Sequence, residues 1–183
     1  MIFEVLEKMK VLNTDQIAIL FFESRLKVAQ RRLEKLYKKK KLKRVQIAIN
    51  QPYCYFLPDS KDFKQIEHII MTNWMLIWFK LNLKSYESIF HISYEQQNQI
   101  FRYDGLIAID NHFTKEIRFY FIEVDLSNNK FDKVEKYNKF YDDRLYEKEW
   151  WIKYVKRFPA IAILSHRDKN IREKVLLEFM DWI

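Results

Sequence analysis

A chain of 183 residues with 49% hydrophobic and 17% aromatic content carries enough apolar material for one ordinary domain or two small ones. Its lone cysteine, Cys54, excludes an internal disulfide and a cysteine zinc cluster, and its lone glycine, Gly105, excludes the glycine-rich phosphate loops that hold nucleotide cofactors. The net charge of +8 sits entirely in the first fifty residues, where 13 Lys/Arg face 5 Asp/Glu; the remainder is neutral, with 20 of each.

A basic excess confined to one segment is the electrostatic footprint of nucleic-acid or anionic-surface binding. The longest apolar stretch, residues 69–83, is broken by Thr72, Asn73, Lys80 and Asn82, and a signal-peptide pattern is missing. The expectation is a soluble cytoplasmic protein with no membrane partner.

In chain order, Ile2, Val5, Leu6 and Met9 predict a first helix, and Asn13 or Thr14 can cap a second through Ile17, Leu20 and Phe21. After a break at Glu23-Ser24, Ser24 is placed to cap a third helix over 25–41. Its stripe of Leu26, Ala29, Leu33, Leu36 and Tyr37 would rest on a core while Lys27, Arg31, Arg32, Lys35 and Lys38 point outward. Short strands at 45–49 and 53–57 would flank Asn50-Gln51-Pro52. Three helices and a hairpin spell a winged helix-turn-helix over residues 1–58, whose third helix would enter the major groove of double-stranded DNA. Gln30, Arg31 and Lys27 are then candidates for base edges. Arg32, Lys35, Lys38, Lys39, Lys40, Lys41 and Arg44 would serve phosphates, because lysine runs neutralise charge without a defined fork geometry.

Pro58, Asp59 and Ser60 mark a boundary to a second domain over 62–183. There the pattern predicts a helix at 63–83, strands at 88–92, 103–109 and 118–126, a polar helix at 130–143, a strand at 160–165 and a closing helix at 171–182. The segment 144–158 suggests helix covering the sheet, and Phe119, Tyr120 and Phe121 are sheet core. Glu123 and Asp125, two apart on one strand, share a face. Were Asp104 on the adjacent strand, the three carboxylates could hold Mg2+ or Mn2+. Asp125 reads equally as the cap of the next helix, Asp104 as a turn residue before Gly105, and His68 as a core histidine. Gly105 inside an apolar strand suggests a bulge or a close backbone approach.

The α-β-β-β-α-β order, with Asp104 and the Glu123-Val124-Asp125 run, resembles the PD-(D/E)XK nuclease superfamily, although Tyr103 stands where proline would and Asp125 where the lysine would. Lys133 and Lys136 can supply a lysine from the following helix, and Lys136, next to Tyr137, is the choice. More narrowly, the N-terminal module, His68 with Asn73, Arg102-Tyr103-Asp104-Gly105, Phe121-Ile122-Glu123-Val124-Asp125 and Lys136-Tyr137 resemble the replication-relaxation family of bacterial plasmids and mobile elements. That resemblance implies an α+β or α/β protein, a winged helix joined to a restriction-endonuclease-like domain with a mixed sheet. It also implies a role in replication, relaxation or mobilisation beside the proteins of those processes, and brings His68 toward the carboxylates. The expected function is DNA binding. The alternative is a metal-dependent endonuclease or nickase using Asp104, Glu123 and Asp125 with Lys136, and a homodimer would suit inverted repeats.

Overall fold

The apolar spacing of the N-terminal segment produces α1 (Ile2–Met9), followed by β1 (Leu12–Asn13), α2 (Thr14–Phe21) and α3 (Leu26–Lys38). The computed structural model describes residues 2–60, 65–126, 133–155, 157–165 and, by backbone alone, 177–179. The protein is of mixed α+β class and divides into two compact units, Met1–Ile77 and Trp78–Ile183. No helix among the described residues is long and apolar enough to cross a membrane.

In the first unit Asn13 is the cap of α2. Its Oδ1 accepts from the Gln16 N–H at 2.8 Å while its own N–H donates to Gln16 Oε1 at 3.0 Å, a reciprocal capping box. The expected cap of α3 moves: Glu23 and Ser24 both take left-handed backbone, and the Ser24 N–H donates to the Ala18 carbonyl. The helix therefore starts one residue later, with Arg25 at the cap and no side-chain cap bond.

The hairpin is shorter than expected, with β2 at Lys43–Val45 and β3 at Cys54–Phe56, the residues between them forming a loop in which Asn50 is left-handed. β1, unforeseen, pairs with β3 on its other side, giving the antiparallel order β1-β3-β2. Side chains alternate along a strand. Tyr55 accordingly packs among Leu6, Leu12, Ile17, Leu33, Leu36 and Leu42, and Cys54 and Phe56 among Val11, Ile69 and Ile70. The last two belong to α4 (Ile66–Leu81). Gln16 Nε2 donates to the Ile70 carbonyl at 2.8 Å, and Asn73 Nδ2 to the Met9 carbonyl at 3.0 Å. These contacts tie the first half of α4 to the first unit, which runs to Ile77. Residues 61–64 lie outside the described set.

The second unit is built on one sheet of order β4-β5-β6-β7-β8: β4 (Glu87–Gln97), β5 (Arg102–Asn111), β6 (Glu116–Asp125), β7 (Ala160–Ser165) and β8 (Leu177–Phe179). The first three strands are antiparallel and the last three parallel. On one face Leu106, Ala108, Phe119, Phe121, Ile161 and Ile163 pack against Tyr137 and Phe140 of α5 (Val134–Asp142) and against Trp151. Burying this aromatic set contributes apolar stabilisation to the unit.

Three expectations change here. Residues 177–179, read as part of a closing helix, form a strand because the apolar edge of β7 takes a parallel partner; 171–176 and 180–182 lie outside the described residues, as do 130–132 of the expected polar helix. The segment after α5 makes two single 3-10 turns, Leu145–Lys148 and Ile152–Tyr154, instead of one helix, with Arg144 in left-handed backbone at the first. The irregularity in the β4–β5 ladder lies between Ile89 and His91 and not at Gly105.

Candidate functional site

Two features carry chemistry, one in each unit. In the first, α3 buries Ala29, Leu33 and Leu36, which forces the opposite face outward. Lys27, Gln30, Arg31, Arg32, Lys35 and Lys38 are exposed, and Lys39, Lys40 and Lys41 continue the exposed basic run beyond the helix end. Between α3 and the hairpin lies an open groove of about 620 Å3, lined by Gln30 and Arg31 on the helix side and by Gln46, Asn50, Gln51 and Tyr53 on the other.

Arg44, expected at phosphates, makes its contacts within the first unit. Its guanidinium lies 4.0 Å from the Tyr37 ring centroid and 4.3 Å from that of Tyr53, and it is ion-paired to Glu34 of α3. Hydrogen bonding and charge from Arg44, with a smaller part from Lys38 at 3.5 Å, hold the Glu34 carboxyl below the usual carboxylate range. The side chain of Arg44 is only 21% exposed, against 72% for Lys38. It is committed to neighbours within its own unit.

In the second unit the antiparallel register Leu106↔Phe121, Gly105↔Ile122 continues to Asp104 opposite Glu123, on the face that carries α5. Asp104 Oδ2 accepts from the Val124 N–H at 2.8 Å, which fixes its carboxylate over the neighbouring strand. Glu123 is 1% exposed. Its Oε1 accepts from the Tyr137 hydroxyl at 2.6 Å and its Oε2 from the Lys133 ammonium. Lys133 Nζ also lies 3.9 Å from Asp104 Oδ1 and donates to the Arg102 carbonyl at 3.0 Å. Burial, then the adjacent Asp104 charge, push the Glu123 carboxyl up to about 8; Lys133 and Tyr137 pull it down without offsetting those two effects. Burial also drives the Tyr137 phenol well upward.

The lysine that reaches the carboxylates is therefore Lys133. Lys136, the expected one, is exposed on α5. The stripe of Tyr137 and Phe140 explains this, since Lys133 lies one turn before Tyr137 on the same face and Lys136 is rotated about 100° from it. Asp125 ends β6 half-buried, and no group of three carboxylate, imidazole or thiol side chains arranged to hold a metal occurs among the described residues. The expected trio is thus not assembled. Its core of two carboxylates is, and it already accommodates a cation, because the Lys133 ammonium stands within reach of both. His68 lies in the first unit, half-buried on α4, where the Thr72 hydroxyl donates to its carbonyl at 3.0 Å.

Compared with family models, curated proteins and solved structures, the chain matches none.

Proposed function

We propose that this chain is a double-stranded DNA-binding protein whose first unit is a basic winged helix-turn-helix, with α3 as the recognition helix and the β2–β3 hairpin as the wing. The observation that carries it is the exposed basic set Lys27, Arg31, Arg32, Lys35 and Lys38, continued by Lys39, Lys40 and Lys41, beside a groove open toward the hairpin. Lys35, Lys38, Lys39, Lys40 and Lys41 serve phosphates; Gln30 and Arg31, flanking the groove, serve base edges. The likeness of the motifs to the replication-relaxation family supports a plasmid or mobile-element setting, with replication or mobilisation proteins as partners and a dimer matched to inverted repeats. The test is binding to a duplex as salt is varied. Replacing Lys35 and Lys38 together by alanine should lower the slope of log K against log salt by about 1.8, two phosphate contacts' worth. An unchanged slope and affinity would remove α3 from the interface.

A second reading is favoured by Lys133. With Asp104 and Glu123 it completes two carboxylates and a lysine in a restriction-endonuclease-like domain, the lysine coming from α5 instead of position 125. Asp104 and Glu123 would hold Mg2+ or Mn2+, which would supply charge neutralisation at a phosphodiester and activation of a water. Tyr137 orients the Glu123 carboxylate, and Lys133 keeps the pair charge-compensated. Metal-dependent nicking of supercoiled plasmid, abolished in Glu123→Ala and retained in Lys136→Ala, is the outcome this reading requires.

A further inference from the structure

Glu34 is the only acidic residue of α3, and it stands on the outward basic face, one turn from Gln30 and one from Lys38. A bare carboxylate there would repel the phosphates that its neighbours attract. Arg44 neutralises it from β2, across the groove, and the same guanidinium lies over the rings of both Tyr37 of α3 and Tyr53 of the hairpin loop. One side chain thus joins helix to hairpin by an ion pair and two aromatic faces, and it sits directly opposite Tyr55, the hairpin residue buried in the core. The β2–β3 ladder is only three residues long, so few backbone bonds fix its angle to α3.

We propose that Arg44 is a positioning residue, one that sets the hairpin against α3 for DNA binding and does not itself contact phosphate. The inference rests on the DNA-binding reading. A phosphate ligand would leave its guanidinium turned to solvent, whereas the Arg44 side chain is largely covered, with Nη1 on Glu34 and two tyrosine rings within 4.3 Å of its guanidinium carbon. Lysine is no equivalent, because a point charge cannot stack on two rings and pair with a carboxylate at once.

The experiment uses the full chain with Arg44→Gln, Arg44→Lys, Glu34→Gln and the Glu34→Gln/Arg44→Gln double variant, with two readouts. In the free protein, amide exchange of β2 and β3 should speed up roughly tenfold in each single variant and no further in the double, while amides of the second unit stay unchanged and report intact folding. On a mixed-sequence duplex of ~30 base pairs, Arg44→Gln and Arg44→Lys should both weaken binding roughly tenfold with the wild-type salt slope. Unchanged exchange would overturn the proposal. So would a slope reduced by about 0.9 in Arg44→Gln, or wild-type affinity in Arg44→Lys, either of which marks a phosphate contact. Should the wild-type chain bind no duplex at all, the DNA-binding reading fails and the clamp is decided by exchange alone.

Discussion

Replacing Glu123 by glutamine tests whether a nearly solvent-free carboxyl between Asp104 and Lys133 holds its proton in the folded protein. Burial, then the Asp104 charge, push the folded group up to about 8, against 4.5 for the free side chain. Between those two values the native state keeps a proton that the unfolded chain has released, so the folded state binds more protons and stability declines with rising pH. The contribution is fully present below pH 4.5 and is lost as pH passes through 8. The difference amounts to roughly 3–5 kcal/mol at 1.36 kcal/mol per unit, an appreciable part of a domain's stability. Glutamine can accept from Lys133 through its carbonyl and donate to the Tyr137 oxygen through its amide, so it keeps both contacts while removing the titration. Urea unfolding of the second unit, followed between pH 5 and 9, should show a wild-type midpoint that drops with pH and a Glu123→Gln midpoint that drops much less. Equal slopes in the two proteins, or a wild type that gains stability with pH, would mean that the Glu123 carboxyl is not raised in the folded state. A carbon-13 titration of the Glu123 carboxyl gives the value directly.

Tyr137→Phe should cost about 1–3 kcal/mol in the second unit and raise the Glu123 titration further, because a buried acceptor loses its donor; chemical denaturation and the same carboxyl titration check it. Asn13→Ala should cost about 1 kcal/mol by removing the capping box of α2, read as faster amide exchange at its first turn. Gly105→Ala should fall within about 1 kcal/mol of wild type by thermal unfolding. A Cβ there would meet Ile122 Cβ at 3.4 Å and the Ser93 carbonyl at 3.5 Å, and the backbone is not left-handed.

Much of the element order was legible because apolar periodicity is local: the helical stripes of α1 and α3 and the runs of β5 and β6 stand close to where they were expected. Asp104 and Glu123 converge as the strand order implied, since antiparallel neighbours of fixed register leave little freedom. Lys133 was legible too, had α5 been phased on Tyr137 and Phe140 and not on the position of a motif. Arg44 was not, because nothing local marks a residue that meets Glu34 ten positions before it and Tyr53 nine after it. The strand at 177–179 was hidden for a related reason. A three-residue edge strand is stabilised by its partner's open backbone, not by its own pattern.

The double-sided burial of β3 makes Cys54 a clock. Its thiol is pushed up to about 11 by burial, and the thiolate is the reactive form, so an alkylating reagent finds almost nothing to attack while the hairpin is closed. With no second cysteine in the chain, label taken up by the intact protein reports the opening of this one strand, and at reagent concentrations that outpace reclosing its rate is the opening rate.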